Sequence, residues 1–440
     1  MSTACWVGID LGSTTTKAVI LDEGGELLGR GITNSRSNYD VACSVALGEA
    51  LINTRFALLD NTLAQAGMET QRREELIVRF GFRFREQQYR AQLESLREHL
   101  LIHADHVGAA AEARRAVEGI MDTMDREAGD LFAPGVRRKS DFFRDLAGAR
   151  YLELSEQLSR DGAADFDVLV GLFDKAILEV ENSTVAVGKF EDHARTALVG
   201  LGEPAPELER ATHEVLAEEL VQVASVGTGY GRQRLPFPEA MIRSEILCHG
   251  LGAHHMFPGT RTVLDIGGQD TKAIQVDEHG IVTSFQMNDR CAAGCGRYLG
   301  YIADEMNLGL HELGPLAGKS TRRVKINSTC TVFAGAELRD RLSLGEKRED
   351  ILAGLHRAIV LRAMSLLARS GGVSEEFTFT GGVAKNTEAV KALRSLVEEN
   401  YGHRTINISP DSIYTGALGA ALFARHDVKR EENESEVRVA

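Results

Sequence analysis

The chain has 440 residues, a hydrophobic content of 43% and a formal net charge of −14 at pH 7. This length predicts two or three domains, and the hydrophobic content is ordinary for a globular protein with a real core. The acidic balance argues against nucleic acid as a partner, because nucleic-acid binding rests on basic contacts to phosphate.

Neither a membrane anchor nor a disulfide framework is expected. We find no run approaching the eighteen apolar residues of a membrane helix, and the N-terminal MSTACWVGID lacks a secretory signal pattern. We therefore expect a cytoplasmic protein. In a reducing compartment the six cysteines are thiols or metal ligands, and the apolar surroundings of Cys5, Cys43 and Cys248 indicate small buried side chains.

Residues 6–25, WVGIDLGSTTTKAVILDEGG, predict a β-hairpin whose turn consists of Gly and small polar residues. Such a turn closes around phosphate, since glycine lets backbone N–H groups approach an anion. Asp10 would lie beside the phosphate. The predicted nucleotide-binding residues of this turn are Gly12, Ser13, Thr14, Thr15 and Lys17.

A helical pattern is expected from Asp40 to about Asp60, and residues 61–204 are expected to form a helical insertion. This insertion is rich in Arg, Glu, Gln and Ala, a composition typical of long amphipathic helices with mixed charge. His99, His103 and His106 fall at near-helical spacing, which raises the question of a metal site. We interpret them as part of a solvated face, because no Cys or Glu cluster completes the site.

After the insertion, the pattern predicts the strand VQVASVGT and then a helix that carries Glu245. If Glu245 is buried in a cleft, its carboxylate would orient a water molecule. If it lies on the helix surface, it has no such role, and the sequence leaves both interpretations open.

Residues 263–276, VLDIGGQDTKAIQV, predict a second phosphate hairpin with Gly267 and Gly268 in its turn. A carboxylate next to phosphate requires a cation between them, so Asp265 implies Mg²⁺, held through water. The two hairpins form an internal repeat and would grip one nucleotide from both sides. In constant register, Asp10, Gly12, Thr16, Lys17, Ala18, Asp22, Glu23 and Gly25 recur as Asp265, Gly267, Thr271, Lys272, Ala273, Asp277, Glu278 and Gly280.

Two cysteines each stand at a predicted helix start, Cys291 in NDRCAAGCGRYL and Cys330 in NSTCTVFAGAEL. The amide donors and dipole of a helix N-terminus favour a thiolate. Two cysteines are too few for a closed zinc site or an iron–sulfur cluster, so a symmetric or pseudo-symmetric dimer would supply two plus two. Cys295 is either a third ligand or a packed thiol.

The segment EFTFTGGVAKN, residues 376–386, predicts a strand that ends at Gly381 and Gly382. A Gly-Gly pair lets the backbone approach a flat ring, which suits an adenosine site, and Asn386 is predicted to bind the nucleotide as well. A small-residue helix follows, and the charged C-terminal residues are expected to be disordered.

These patterns predict an α/β fold with two duplicated lobes around a nucleotide cleft. The predicted borders are 1–60 for the first lobe, 61–204 for the insertion, 205–258 for the rest of the first lobe with a crossover helix, 259–410 for the second lobe with the cysteines, 411–425 for a helix returning to the first lobe, and 426–440 for the tail.

With both hairpins, the Gly-Gly turn and the two helix-entry cysteines, the sequence resembles the actin, sugar-kinase and heat-shock-chaperone ATPase superfamily, whose lobes are ribonuclease H-like. Within it, the sequence is similar to the iron–sulfur ATPases that activate 2-hydroxyacyl-CoA dehydratases and drive benzoyl-CoA reductases. The resemblance covers residues 5–34 and about 222–425. It rests on GIDLGSTTTK, GTGYGR, DIGGQDTK, NDRCAAGCGRYL, NSTCTVFA, TGGVAKN and GALGAAL.

The resemblance implies that Cys291 and Cys330 ligate a 4Fe-4S cluster shared between two subunits. It also implies that Asp10 and Asp265 serve the phosphates of Mg–ATP and that the Gly-Gly turn contacts adenosine. The sequence departs from the short activators in two ways. Position 295 is usually Thr in them, and they lack the long insertion that the larger ATPase subunit of benzoyl-CoA reductase has.

This comparison favours the larger ATPase subunit of ATP-dependent benzoyl-CoA reductase, which passes low-potential electrons from reduced ferredoxin to the subunits that dearomatise benzoyl-CoA. The implied partners are a smaller paralogous ATPase subunit, two catalytic reductase subunits and reduced ferredoxin, with neither nucleic acid nor membrane. The alternatives are an activator of a 2-hydroxyacyl-CoA dehydratase, a small-molecule kinase, and a filament or chaperone module. The residues eligible to position the attacking water are Asp10, Asp265, Gln269 and Glu245.

Overall fold

The computed structural model describes residues 2–35, 38–136, 138, 140, 142–183, 190–202, 205–229, 235–288, 295–322, 324–326 and 331–439, with residues 331–332 and 431–439 described by their backbone alone. The chain divides into two compact units. The first comprises Met1–Cys5 and Glu26–Val221, and the second comprises Trp6–Gly25 and Gln222–Ala440. The predicted α/β class is confirmed, because both strands and helices build the fold.

The first unit is mostly helical. It contains the strand β3 (Leu27–Asn34) and the helices α1 (Tyr39–Gln65), α2 (Thr70–Ala104), α3 (Ala110–Leu131), α4 (Phe143–Arg160), α5 (Phe166–Glu181), α6 (Phe190–Val199) and α7 (Pro206–Ala217). A Cβ at Gly29 or Gly31 of β3 would overlap backbone atoms of α1. Glycine therefore lets this strand and helix pack backbone against backbone.

The helical insertion predicted from the sequence has a hydrophobic core of its own. Buried side chains of α2, α3, α4 and α5 form one cluster, which includes Leu96, Ile120, Tyr151 and Phe173. Each helix thus buries one apolar face against the others, as amphipathic helices do. The domain borders given above stay predictions.

The histidines of the insertion lie on a partly solvated face, as the sequence suggested, and two of them contact a carboxylate there. His99 Nδ1 lies 2.5 Å and His103 Nε2 3.2 Å from the carboxylate of Glu179 on α5. His106 is exposed, and its Nδ1 lies 2.8 Å from the carbonyl oxygen of Ile102. Two of the three histidines therefore connect α2 with α5.

The second unit contains the remaining strands and helices. They are β1 (Ser2–Leu11), β2 (Thr15–Leu21), β4 (Glu219–Gly229), α8 (Glu245–Met256), β5 (Thr262–Ile266), β6 (Thr271–Val276), β7 (Val282–Asn288), α9 (Gly296–Glu305), α10 (Leu310–Ala317), α11 (Thr331–Ser343), α12 (Arg348–Ser370), β8 (Glu376–Thr380), α13 (Thr387–Tyr401), β9 (Thr405–Asn407) and α14 (Thr415–Val439). β1 and β4 each begin in the first unit and end in the second.

Both predicted hairpins are present in the second unit. β1 pairs antiparallel with β2, and β4 lies on the other side of β1. A second sheet has the order β7-β6-β5-β8-β9, in which β5 pairs antiparallel with β6 and parallel with β8. The two hairpins are therefore repeated units, each with its turn at the end of a buried strand.

α12 forms the centre of the core behind the second sheet. Its side chains pack with those of α9, α10 and α13 and with strands β5 and β8. By length and composition, α12 and α1 are each apolar enough to cross a membrane, but this is weak support for a span, because buried core helices pass the same test.

α8 and α14 cross through glycines. A Cβ at Gly252 of α8 would overlap the backbone of Thr415, and a Cβ at Gly419 of α14 would overlap the backbone of Cys248. The two helix backbones therefore touch at this crossing. Gly416 of α14 lies beside Asp10 and His249. The crossing therefore also packs against the end of strand β1 that carries Asp10.

Three cysteines predicted to be buried are buried, since Cys5, Cys43 and Cys248 are between 0% and 4% exposed. The tail differs from its prediction. The sequence suggested disorder from residue 426, whereas α14 continues to Val439. The Arg and Glu residues that make this segment polar are also good helix formers, so a helix already packed at its start extends through them.

Candidate functional site

The two hairpins repeat one ion pair at one register. Asp10 of β1 faces Lys17 of β2, and Asp265 of β5 faces Lys272 of β6. The carboxylate Oδ2 lies 3.4 Å from the lysine Nζ in the first hairpin and 3.3 Å in the second. We call β1–β2 the first phosphate hairpin and β5–β6 the second phosphate hairpin.

The turns of the two hairpins approach one another. A Cβ at Gly268 would overlap Thr14 Oγ1, and it would lie 3.9 Å from Ser13 Oγ. A Cβ at Gly267 would lie 2.6 Å from Asp270 Oδ1. A side chain at either position would displace a neighbouring side chain, so glycine keeps the two turns close together.

Asp265 is buried and remains ionised. Thr380 of β8 donates a hydrogen bond to its Oδ1 at 2.9 Å, and His249 Nδ1 of α8 lies 3.4 Å from the same oxygen. Burial alone raises the pKa of this carboxyl, but His249, Lys272 and Thr380 lower it more, so that the pKa is about 2. The site thus holds a fixed negative charge.

Lys272 is enclosed by carboxylates. Its Nζ lies 2.6 Å from Asp270 Oδ2, 2.9 Å from Glu245 Oε1 and 3.3 Å from Asp265 Oδ2. Burial opposes the charged form of Lys272, but the three carboxylates raise its pKa well above the ordinary value. Burial also raises the pKa of Glu245, yet Lys272 and His249 lower it overall, whereas the pKa of Asp270 is raised, chiefly by burial.

Asp10 offers an oxygen that no protein group uses. Asp10 is 3% exposed, and within the described part of the chain its buried Oδ1 has no hydrogen-bond partner. A buried carboxylate oxygen of this kind is suited to a water molecule of hydrated Mg²⁺. Asp10 therefore fits the hydrated magnesium ion that the sequence implied, whereas the two carboxylate oxygens of Asp265 contact Thr380 and Lys272.

The remaining residues of the first turn lie at its open side. Lys17 Nζ would lie 3.0 Å from a Cβ at Gly12, so the ammonium faces the turn. Ser13 and Thr15 are half-buried, and Thr14 is exposed. The predicted phosphate-binding residues are thus grouped around one turn, and their contacts with nucleotide stay predictions.

The Gly-Gly turn after β8 packs on Asp265. Gly381 has φ +85°, and a Cβ there would lie 2.9 Å from Asp265 Oδ1. Gly382 is exposed, and a Cβ there would meet nothing within 4 Å. An adenosine contact at Gly382 therefore has open space, while Gly381 is required for packing.

Asn386 lies differently from its predicted role. Its Oδ1 accepts hydrogen bonds from the amides of Glu388 and Ala389 at 3.0 and 3.1 Å, which caps α13. Its Nδ2 lies 2.9 Å from His356 Nε2. The polar atoms of Asn386 are thus engaged in helix capping and in the core beside α12.

Glu245 and Gln269, two of the residues predicted to position the attacking water, have different surroundings. Glu245 lies inside the site, ion-paired with Lys272, and is not on a helix surface. Gln269 is half-buried in the turn of the second phosphate hairpin. Which residue positions the attacking water stays a prediction.

The predicted cluster ligands Cys291 and Cys330 lie outside the described residues. Their neighbours are described: α9 begins at Gly296, and α11 begins at Thr331. Gly296 N donates to Gly267 O at 2.8 Å, and the next amide of α9 donates to Gly268 O at 2.7 Å. The N-terminus of α9 is therefore fastened to the second phosphate turn.

Cys295 precedes α9 and does not lie within it. It is the N-cap residue of α9 and is fully buried.

Sequence reasoning missed four residues of this site: His249, Asp270, Lys272 and Thr380. The repeat places Lys272 opposite Asp265, just as Lys17 lies opposite Asp10, so the register alone contained this signal. His249 follows Glu245 by one helical turn. For Thr380, no local pattern indicates the partner, because the parallel pairing of β5 with β8 joins distant segments.

Two named relatives share part of this sequence. The chain is 41% identical over 245 residues to the (R)-2-hydroxyglutaryl-CoA dehydratase activating ATPase of Acidaminococcus fermentans, a match that covers 56% of this chain and 88% of that protein. It is 32% identical over 213 residues to a benzoyl-CoA reductase component of Thauera aromatica, with 48% of this chain and 74% of that protein covered.

The fold also matches a solved structure. The activator of the 2-hydroxyisocaproyl-CoA dehydratase from Clostridium difficile with bound ADPNP aligns with a TM-score of 0.54 and 23% identity, covering 98% of this chain and 97% of that one. This likeness confirms the predicted actin-like fold.

The sequence profile of the BadF/BadG/BcrA/BcrD ATPase family matches residues 7–124 and 172–424, which include both phosphate hairpins and the Gly-Gly turn. The chain therefore belongs to the BadF/BadG/BcrA/BcrD ATPase family.

Proposed function

We propose that this ATPase is an activator of a 2-hydroxyacyl-CoA dehydratase, which uses ATP hydrolysis to deliver low-potential electrons to a separate acyl-CoA enzyme. Support comes from the identity to the Acidaminococcus activating ATPase, which is higher and spans more of that protein than the identity to the Thauera reductase component. The order of preference obtained from the sequence alone is thereby reversed.

A role in benzoyl-CoA reductase is the second candidate. Two observations favour it: the similarity to the Thauera reductase component, and the helical insertion, since the match to the Acidaminococcus protein covers 88% of that protein but only 56% of this chain. As the larger ATPase subunit, the chain would pair with a smaller paralogue and two catalytic subunits. In either role the protein would be cytoplasmic and would receive electrons from reduced ferredoxin.

The observation that carries the proposal is the pair of buried carboxylates, one at the same register of each hairpin. Asp10 and Asp265 would hold Mg²⁺ through water, and Mg²⁺ would neutralise the charge that develops on the transferred phosphoryl group. The turn amides and Lys17 would bind the phosphate oxygens. Water would accept the phosphoryl group, positioned by a side chain of this site.

The electron-transfer part rests on Cys291 and Cys330. Helix α11 begins directly after Cys330, and a helix N-terminus stabilises a thiolate. Helix α9 begins at Gly296, five residues after Cys291, so Cys291 does not stand at the helix start that the sequence predicted. A 4Fe-4S cluster held by these cysteines of two subunits would supply one-electron transfer at low potential. Because the amides of α9 bond to the second phosphate turn, a shift of that turn would displace the start of α9.

Anaerobic purification with iron and acid-labile sulfide analysis tests this proposal. We expect iron and sulfide in the wild type, and we expect Cys291→Ser and Cys330→Ser to lose both, whereas Cys248→Ser, a buried thiol without a proposed ligand role, keeps them. Full iron content and an unchanged EPR signal in either of the first two variants would contradict the ligand assignment. A colourless, iron-free wild type with hexose- or acetate-dependent ATP turnover would support a kinase instead.

A further inference from the structure

The duplicated lysines have diverged in their surroundings. Lys17 and Lys272 occupy the same register of their hairpins, each opposite an aspartate. The side chain of Lys17 is 12% exposed and that of Lys272 only 1%. We propose that Lys272 binds no nucleotide phosphate and is instead a positioning residue, which fastens Glu245 of α8 to the second phosphate hairpin.

The donors of Lys272 are all in use. An ammonium group carries three N–H donors, and three carboxylates surround this one. The distances from Nζ are 2.6 Å to Asp270, 2.9 Å to Glu245 and 3.3 Å to Asp265. A phosphate oxygen would have to displace one of these carboxylates, which would leave a buried charge unpaired.

Lys17 keeps its capacity for a ligand. Its ion pair with Asp10, at 3.4 Å, occupies one donor, and its ammonium faces Gly12 in the first turn. Of the two repeated lysines, Lys17 is therefore the one whose charge a phosphate meets.

One substitution between the repeats and one contact from α8 distinguish the two lysines. In the repeat register, the first hairpin has Thr15 where the second has Asp270. The Asp270 carboxylate makes the shortest of the three contacts to Lys272, and Thr15 has no carboxylate that could do the same for Lys17. Glu245 supplies the contact from α8, so this helix and the second phosphate hairpin are joined through one buried cation.

This inference rests on the proposed nucleotide site. The following test distinguishes a failure of the Lys272 assignment from a failure of the nucleotide site itself. The affinities of the wild type for ADP and AMP are measured by calorimetry with Mg²⁺, together with those of Lys17→Gln, Lys272→Gln and Thr15→Asp. We expect Lys17→Gln and Thr15→Asp to lower the preference for ADP over AMP by about tenfold or more, and Lys272→Gln to leave it within about threefold of the wild type.

A positioning role also predicts a kinetic signature. Lys272→Gln should lower kcat for ATP hydrolysis by about tenfold or more with KM for MgATP little changed, because Glu245 and Asp265 lose their fixed placement. If Lys272→Gln does not fold, the triple variant Lys272→Met, Glu245→Gln, Asp270→Asn removes the charges of these three residues, keeps Asp265, and is used for the same affinity measurement.

The outcomes are distinct. Loss of the ADP preference in the folded Lys272 variants, with the preference intact in the wild type, overturns the assignment of Lys272. An unchanged kcat in Lys272→Gln overturns the positioning role. A wild type that does not distinguish ADP from AMP overturns the nucleotide site itself, whatever the variants do.

Discussion

Asp265 illustrates how single residues set the chemistry of this site. Buried carboxylates usually become protonated, but this one is surrounded by Lys272, His249 and the hydroxyl of Thr380, so its pKa falls to about 2. It is thus charged over the whole physiological range. In the proposed function, a charge held in place before the nucleotide arrives would cost no reorganisation when Mg²⁺ and phosphate bind.

We expect Asp265→Asn to lower ATP turnover by about 100-fold or more, because removing one preorganised electrostatic group from a phosphoryl-transfer site has an effect of this size. Turnover is measured by phosphate release, and the iron content of the variant should stay at the wild-type level. Glu278→Gln, at an exposed position after β6, is the control and should match the wild type. Normal hydrolysis by Asp265→Asn would remove this residue from the mechanism.

His356 makes a second prediction at the scale of single residues. Its Nδ1 lies 2.7 Å from the carbonyl oxygen of Leu352, and its Nε2 lies 2.9 Å from the amide nitrogen of Asn386. Nδ1 therefore carries the proton and Nε2 accepts, so the ring is neutral. Burial lowers the pKa of His356 from its ordinary value of 6.5.

The sign of the pH effect follows from this lowered pKa. Below pH 6.5 the unfolded chain binds a proton at residue 356 that the folded chain excludes, so stability is lost as pH falls, by at most about 1.4 kcal/mol per pH unit. We expect the melting temperature of the wild type to fall more between pH 8 and pH 5.5 than that of His356→Gln. Equal falls in the two proteins would show that this histidine does not titrate on unfolding.

At the scale of single residues, the sequence predicted the repeated residues of the candidate site but not the side chains that contact them. Asp10, Lys17 and Asp265 belong to a short pattern that occurs twice, and local patterns are visible in a sequence. His249 and Thr380 reach Asp265 only through tertiary packing, from α8 and β8. For Asn386 the nucleotide contact stays a prediction, because an Asn before a helix serves equally well as an N-cap.

Among the elements, α8 and α14 pack backbone against backbone where they cross. Gly419 places its Cα against the backbone of Cys248, and Gly252 does the same against Thr415. Because backbone contacts leave no room for side chains, added atoms force the helices apart.

We expect Gly419→Ala to destabilise the protein by about 1–3 kcal/mol, the usual effect of overpacking. Gly300→Ala in α9 is the matched control: a Cβ there meets nothing within 4 Å, and Ala should stabilise this helix by about 0.5–1 kcal/mol. Both changes in stability are measured from the midpoint of thermal unfolding relative to the wild type. A Gly419→Ala protein as stable as the wild type would mean that the crossing is loosely packed.

The elements themselves were largely predictable. Both hairpins and the strand before Gly381 follow from alternating apolar residues between Gly-rich turns, and these signals are local. The continuation of α14 to Val439 was not predicted, because the sequence alone weighs a charged composition toward disorder and cannot count the packing that starts the helix.

At the scale of the whole molecule, the two units differ in how much the sequence reveals about their function. All described residues of the candidate nucleotide site lie in the second unit, whereas the helical insertion, in the first unit, has a separate core. The candidate nucleotide site is built from a motif that occurs twice in the sequence. The electron acceptor of the proposed function would depend on surfaces that contact a partner, and no short motif encodes such a surface.

The most direct measurement of the central claim is the anaerobic activation of a 2-hydroxyacyl-CoA dehydratase by this protein. The dehydratase component, its acyl-CoA substrate, reduced ferredoxin and the purified chain are combined, and dehydration is followed with MgATP or with MgADP. We predict that dehydration occurs only with MgATP, and that it does not occur when Asp265→Asn or Cys291→Ser replaces the wild type. Dehydration at the same rate with MgADP, or no dehydration with MgATP while the catalytic subunits of benzoyl-CoA reductase are activated, would contradict this account.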